Sequence, residues 1–316
     1  MTVSTITTHH WIAKDPASVE ILKTIDKVKD THSTLLIQGE SGTGKDLLAS
    51  LIHYSSLRRD EPFLRIDCSS IPAELLETEL FGYEKGTFTG AYARKLGKLE
   101  FAGTGTIVLD EITALGFETQ AKLLRVIEDR TFGRLGGNEV IPVQARLVAL
   151  SKERLGDLVK SGTLREDLFF RLNVIPIELL PLRKRRDDIV PLAEHFLQSF
   201  REKYNKPQLW TDSRVFGELA TYSFPGNVRE LRNLLDRLVM LADGDEIRLT
   251  HLPDGVRRAN AGFRAGNDKP TLEQLERQYI AEILESTRGR KGKAATILGI
   301  SRKTLLEKRK RYGLVD

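Results

Sequence analysis

A single cysteine among 316 residues is the scarcest feature of this sequence. Cys68 alone excludes an intramolecular disulfide framework and fits a reducing cytoplasm. Its apolar surroundings, Phe63 to Ile71, predict a buried spectator thiol rather than a nucleophile. No apolar run approaches the roughly 18 residues that would suggest a membrane-spanning helix, so no membrane association is expected. The first ten residues, Met1 to His10, are Thr-rich and lack a basic stretch leading into an apolar core, which excludes a secretory signal. Six histidines show no metal-ligand spacing, His9 and His10 being merely adjacent near the chain end, so no zinc site is expected. Internal repeats are also missing.

What is present is the composition of a soluble globular protein, 40% hydrophobic and 29% charged, long enough for two or three structural units. The net charge of +5 is unevenly placed. Between Arg288 and Arg311 lie ten Lys or Arg and one acid, Glu307, while the chain before is nearly balanced. Such a local excess points to a nucleic-acid contact; a solvated basic face is the plainer alternative.

From Trp11 to about Ile177, short β-rich runs alternate with helical stretches. Thr34 to Ile37, Phe63 to Ile66, Gly105 to Leu109 and Arg146 to Leu150 read as strands; Asp46 to Ser56 and Glu118 to Glu128 carry helical periodicity. This predicts an α/β fold with a mostly parallel sheet and ligands at the carboxyl ends of its strands. Beyond Pro181 the reading is helical: Asp187 to Tyr204, Asp212 to Tyr222 and Asn227 to Leu241, with Asp187, Asp212 and Asn227 as N-caps. A Gly-, Ala-, Asn- and Arg-rich stretch at 253–270 reads as a linker. The boundaries are therefore a tail 1–10, an α/β part 11–178, a helical part 179–252, the linker, and a helical unit 271–316.

Gly39-Glu40-Ser41-Gly42-Thr43-Gly44-Lys45-Asp46 follows one strand and opens one helix, the setting a phosphate-binding loop needs. Glycines let backbone N–H groups face phosphate oxygens, the helix N-terminus adds its dipole, and Lys45 reaches the terminal phosphates. Asp46 replaces the usual Ser or Thr ligand of magnesium. About seventy residues on, Ile107 to Leu109 end in Asp110 and Glu111, placed to hold Mg²⁺, directly or through water, and to polarise the attacking water over a triphosphate. Between these two features lies Gly86-Thr87-Phe88-Thr89-Gly90-Ala91, a loop framed by small residues that carries one apolar side chain and one hydroxyl.

With these motifs the chain resembles the AAA+ ATPases of the bacterial enhancer-binding class, the activators of sigma-54 RNA polymerase. The family's Gly-Ala-Phe-Thr-Gly-Ala loop corresponds to Gly86–Ala91, with Thr87 in place of Ala. Further matches are Glu79-Leu80-Phe81-Gly82, Lys122 to Val126, Leu164 to Leu168, and Phe224 to Leu231, so the resemblance runs from about Trp11 to Leu314. It implies an AAA+ parallel-sheet core with a helical lid, ATP and Mg²⁺ as ligands, and a ring, a hexamer by family habit. It further implies that Asp46 stands where the family carries an acid, that Arg165 and Arg171 are arginine fingers reaching a neighbouring subunit, and that Arg229 is the lid's sensor. Surface ion pairs with Glu166, Asp167 and Glu230 are the plainer reading of those arginines. Residues 86–91 become the sigma-54 contact. Two positions depart from the family. Asp67 stands where an Asn restrains the catalytic Glu, and an Asp there is expected to face and repel Glu111. Ser151-Lys152 replaces the sensor strand's Thr-Asn, leaving Lys152 as a point charge for a phosphate. Slower or differently regulated turnover is expected.

Thr271 to Thr287 opens with a capping pattern and places Leu272, Leu275, Tyr279, Ile283 and Leu284 on one face. Lys293 to Leu298, the turn Gly299 to Ser301, and Arg302 to Arg311 complete an all-α helix-turn-helix similar to the Fis-type domain of the same family. Ser301, Arg302, Lys303 and Thr304 are expected nearest bases and phosphates of double-stranded DNA, with Lys308 to Arg311 following the backbone. A generic three-helix protein-binding domain is the alternative. Only about ten residues precede the core in this sequence, so no N-terminal regulatory domain is expected within it, and control is expected from a separate regulatory protein, from expression level, or from a domain outside it. Two rivals to the activator reading are a DNA-binding regulator that uses nucleotide only to set its oligomeric state, and a remodeller of another target.

Overall fold

The computed structural model describes residues 11–258, 271–287 and 290–314. The chain forms two compact units that divide between Asn260 and Ala261. The first begins with α1 (Pro16–Val28), β1 (Leu35–Gln38), α2 (Lys45–Tyr54), β2 (Phe63–Asp67) and α3 (Ala73–Phe81). A small hairpin, β3 (Gly82–Tyr83) and β4 (Lys95–Leu96), carries the Gly86–Ala91 loop and is followed by α4 (Lys98–Phe101), β5 (Thr106–Asp110) and α5 (Phe117–Asp129). A second hairpin, β6 (Thr131–Phe132) and β7 (Ile141–Pro142), leads to β8 (Arg146–Ser151), α6 (Leu155–Lys160), α7 (Glu166–Leu172) and β9 (Ile175–Glu178).

The five main strands pair in parallel in the order β2-β5-β8-β1-β9. Central β5 and β8 are buried along their whole length, as strands covered on both faces must be. Because side chains alternate across a strand, Ile107, Leu109, Leu147 and Ala149 join one core while Val108, Val148 and Leu150 join the other. Residues 175–178 escape the sequence reading because Pro176 argues against a strand; at the sheet edge its missing N–H is harmless.

The lid comprises α8 (Ile189–Lys203), β10 (Trp210–Thr211), α9 (Ser213–Thr221), α10 (Asn227–Leu241), β11 (Glu246–Ile247) and α11 (Asp254–Arg258), around its own core of Leu192, Leu197, Phe224, Leu231 and Leu235. Three local readings are corrected here. Asp212 caps α9 through the Arg214 N–H, as expected, but Asp187 does not cap α8. Its neighbour Asp188 is buried and accepts from the Lys14 and Asp15 N–H groups at 2.7 and 2.8 Å and from the Ser18 hydroxyl, drawing the N-terminal segment onto the lid. Asn227 is equally buried and non-capping: it takes a left-handed φ of 54°, and the Gly226 N–H finds Glu230 instead. The linker also begins later than expected, since α11 occupies 254–258 and buries Val256 in the lid core. The tail 1–10, the rest of the linker (259–270) and the side chains of Leu272 and Leu275 lie outside the described residues.

The second unit holds α12 (Leu272–Ser286), α13 (Lys291–Ile297) and α14 (Arg302–Arg311). Thr271 and Gln274 exchange the two bonds of a capping box, and Ser301 accepts from the Thr304 N–H to start α14. Gly299 supplies the left-handed residue of the intervening turn (φ 65°), and Ile280, Ala294, Ala295, Leu305 and Tyr312 form the core. No described helix is long and apolar enough to cross a membrane.

Candidate functional site

The Gly39–Asp46 loop leaves the carboxyl end of β1, its Gly39 N–H donating to Ser151 O on neighbouring β8 at 3.1 Å. Gly42 has φ 77° and lies so close to the lid that a Cβ would stand 2.4 Å from Gly226 O, so glycine is required twice over. Gly44 is left-handed as it starts α2, and Thr43 Oγ1 donates to Glu40 O at 2.8 Å. The Lys45 ammonium curls back to Gly39 O (2.7 Å) and Glu40 O (3.2 Å). Burial pulls its pKa below the ordinary lysine value, opposed by the charges of Glu111, Asp110 and Asp46. A cation therefore sits among three carboxylates at the mouth of the loop.

The lid grips this loop with residues that local sequence rules do not mark. Arg183 donates two bonds to Glu40, at 2.8 and 2.5 Å, and Asn227 adds a third at 3.2 Å. The Arg183 bond holds the Glu40 carboxyl down to about 2, with burial acting the other way. Asn227 also donates to Ser41 O and accepts from the Leu182 N–H; Arg185 reaches Thr43 O at 2.6 Å; Arg229 reaches Ser41 Oγ at 2.9 Å. Of these four lid residues only Arg229 is expected from the motifs. Between lid and loop opens a cavity of about 800 Å³ lined in part by Ser41, Lys152, Tyr222, Arg229, Arg237 and Val256, large enough for a nucleotide-sized ligand.

Asp110 ends β5, buried, and Glu111 follows with a left-handed φ of 49°, a rare conformation for a bulky residue. Arg65, unforeseen in the sequence, bridges the acids: it pairs with Asp110 Oδ2, and its Nε lies 3.0 Å from Asp46 Oδ1. A polar side chain within the apolar strand Phe63 to Ile66 is the signal that marks it. Asp46 Oδ1 and Glu111 Oε2 are buried and accept no hydrogen bond. Burial pushes the Asp46 carboxyl up. Each of the two oxygens faces a cationic side chain, Arg65 at 3.0 Å and Lys152 at 3.8 Å, so both stand where positive charge is favoured. Among the described residues no three carboxylate, histidine or cysteine side chains form a ready metal cage.

Both departures from the family have nearby partners. Asp67 does not confront Glu111: its carboxylate turns into its own loop, accepting from Ser69 N–H at 3.0 Å and Ser69 Oγ at 2.7 Å, which holds its pKa below the usual value. Lys152 stands 3.8 Å from Glu111 Oε2 and also lines the cavity between lid and loop. Ser151 is fully buried, and its hydroxyl donates to Glu153 O. Burial pushes the Cys68 thiol up to about 12, which makes it inert as expected.

Arg165 immediately precedes α7 and Arg171 lies in its last turn. Arg165 lies against Asp167 (2.8 Å) and Arg171 against Glu128 (2.7 Å), and neither touches the Gly39–Asp46 loop among the described residues. In the Gly86–Ala91 loop, Gly86 and Gly90 take φ of 86° and 110°, and Phe88 packs edge-on against Tyr83 at 4.9 Å while remaining 46% exposed. Thr89 is exposed and Ala91 buried. The Thr87 hydroxyl shares its proton between Glu84 O (2.6 Å) and Leu135 O (2.9 Å), pinning the loop base to the β6–β7 hairpin. Beneath it, buried Arg134 pairs with Glu84, Glu100 and Glu139 at 2.8, 2.7 and 2.6 Å.

In the second unit Arg302 and Lys303 are exposed at the start of α14. Three of the four basic residues at 308–311 have partners within the unit. Lys308 pairs with Glu276, Arg311 lies 2.7 Å from Glu273, and Arg309 is buried against Leu314 O. Within 308–311, acids on α12 pair with Lys308 and Arg311, Arg309 is buried, and Lys310 is exposed.

Three protein families match the chain in series: the sigma-54 interaction domain over residues 11–178, the AAA+ ATPase lid domain over 183–268, and bacterial regulatory protein, Fis family, over 271–312. The regulatory protein AtoC of Escherichia coli (strain K12) is 42% identical over 313 residues, covering 96% of this chain and 68% of AtoC. FlbD of Caulobacter vibrioides, a transcriptional regulatory protein, is 40% identical over 317 residues, 95% of this chain and 70% of its own. Among solved structures, NtrX from Brucella abortus in complex with ADP superposes with a TM-score of 0.73 at 31% identity, over 96% of this chain and 70% of that one.

Proposed function

The chain belongs to the sigma-54-dependent transcriptional regulators, with an AAA+ core and lid and a Fis-type helix-turn-helix, and from that premise we propose that it is an ATP-driven activator. It binds upstream double-stranded DNA, assembles into a ring, a hexamer, and uses ATP hydrolysis to remodel the closed promoter complex of sigma-54 RNA polymerase. The observations that carry this reading are a phosphate-loop lysine, Lys45, turned back onto Gly39 O and Glu40 O, with Asp110 and Glu111 at the carboxyl end of β5 in the same parallel sheet, and a separate Phe88 loop pinned at its base.

Lys45 and the loop N–H groups of residues 39–46 take the β- and γ-phosphates. Asp110, steadied by the Glu111 N–H at 2.9 Å, faces the metal position with Asp46 beside it. Asp110 and Asp46 would hold Mg²⁺, which would supply positive charge against the charge that builds on the terminal phosphoryl group. Glu111 orients the attacking water, and Lys152 stands beside its carboxylate as a weak restraint. Arg229 reports nucleotide to the lid through Ser41. Arg165 and Arg171 leave Asp167 and Glu128 to reach the neighbouring subunit's γ-phosphate, a contribution of about 10³ or more in rate. Phe88 and Thr89 then move against sigma-54, while Ser301, Arg302, Lys303 and Thr304 hold DNA.

The test is Thr89→Ala. Phosphate release and ring formation persist while open-complex formation is lost; normal promoter melting by this variant sinks the loop assignment. The rival reading, nucleotide as an assembly switch without turnover, draws on Lys152 lying against Glu111. Phosphate release by ring-forming protein with and without Glu111→Ala separates the two.

A further inference from the structure

At the amino-terminal ends of the strands, opposite the nucleotide loop, the segments entering β1, β2, β5 and β8 and the end of α5 surround a second cavity of about 720 Å³. Asp30, His32, Arg58, Glu61, Arg130 and Gln144 are among its lining residues, and Arg146 lies beneath. Three guanidiniums thus gather around His32. Their hydrogen bonds among the described residues go to neutral groups: Arg58 to the His32 ring at 2.8 Å, Arg130 to His32 O at 2.8 Å, and Arg146 to Val28 O at 2.7 Å and to Lys29 O. None reaches a carboxylate.

The acids at hand do not answer this charge. Asp30 accepts from the Leu57 N–H, and Glu61 is exposed at the rim. The strain of the arrangement shows in its titratable groups. His32 is held below the usual imidazole value, by the Arg58 charge first, then burial, Arg130 and Arg146. Arg146 is brought down to about 10, mainly by burial and then by Arg58. Buried guanidiniums are costly unless paired with an anion, and their planar forks match carboxylate and phosphate oxygens.

We propose that this cavity is an anion-binding site, separate from the nucleotide site, for a metabolite-sized molecule bearing a phosphate or carboxylate group, with Arg58 and Arg130 as its ligands and Arg146 as the charge behind them. The volume is in the range of small-molecule sites. Convergence of four strand-entry loops means that an occupant crosslinks segments far apart in sequence.

Calorimetric titration of the full chain, held in saturating Mg²⁺ and ADP to block the nucleotide loop, tests this with inorganic phosphate in one arm and citrate in the other. Saturable binding is expected in at least one arm, and which arm saturates identifies the oxyanion. Gln144→Glu, which places a negative charge at the rim without removing a described contact, weakens it roughly tenfold, equivalent to about 1.4 kcal/mol. Arg130→Gln does the same or more. Glu61→Gln tightens it roughly threefold by removing a rim acid. Lys45→Ala, titrated without ADP because the substitution itself disables the nucleotide loop, leaves it unchanged. No saturable binding in either arm, or affinity that follows Lys45 and ignores Gln144 and Glu61, overturns the proposal.

Discussion

Replacing Glu40 by Gln tests how firmly the lid is fastened to the phosphate loop. The native carboxylate receives two bonds from Arg183 and one from Asn227, and its pKa falls from 4.5 to about 2. Taken at face value, such a drop amounts to about 3 kcal/mol. Glu40 is 42% exposed and Arg183 39%, however, so water and salt screen the pair, and about 1 kcal/mol is the appropriate figure. Glu40→Gln keeps the shape but turns an amide N–H₂ or a single neutral oxygen toward the guanidinium. The melting temperature of the first unit should fall by roughly 2–4 °C at pH 7. The sign of the pH dependence follows from a folded pKa lying below the unfolded one. The carboxylate's contribution is complete above about pH 4.5 and is lost as pH falls toward about 2. Thermal scans should therefore show a constant gap between wild type and variant from pH 7 to 5, narrowing below that, and a smaller gap in about 1 M salt. A gap that is absent at pH 7, or that widens in acid, refutes the reasoning.

Thr87→Val removes the shared hydroxyl proton but keeps the β-branch; with about 1 kcal/mol of anchoring lost, amide exchange across 86–91 should quicken roughly fivefold at unchanged global stability. Wild-type exchange rates in that variant mean that the hydroxyl is no tether. Lys152→Met relieves a half-exposed pair and should change phosphate release by no more than about fivefold, far less than Glu111→Gln. A loss as deep as the Glu111 variant's makes Lys152 a phosphate ligand after all. Arg302→Ala and Lys303→Ala should each lower the salt slope of DNA binding by about one. Lys308→Ala should instead destabilise the second unit with the slope intact, because its ammonium serves Glu276.

The features legible in the sequence are those written by local chemistry. The strands around Val108 and Val148, the Gly39–Asp46 loop between strand and helix, and the Thr271–Gln274 capping box follow from patterns a few residues long. What escaped depends on partners far along the chain. Asn227 looks like a helix cap until its amide is seen on Glu40 and Ser41, 187 and 186 residues away. Asp188 is chosen over Asp187 by Lys14, Asp15 and Ser18. Lys308 reads as a DNA contact because Glu276, a helix away, is invisible to a run of basic letters. Asp67 raises the question of repulsion with Glu111, and its two bonds to Ser69, two residues on, show where its carboxylate turns.

The strand order also dictates a schedule for the ribosome. Both neighbours of β1 are made later: β8 ends at Ser151 and β9 at Glu178, whereas β1 is finished at Gln38. Leu35, Leu36 and Ile37, which end up fully buried, must wait unpaired while more than 100 further residues are translated. At ~5–20 residues per second that is on the order of 5–20 s of apolar strand open to the wrong partner. Stalling translation before residue 151 should leave a nascent chain that aggregates or engages a chaperone, and release beyond residue 178 should end that vulnerability.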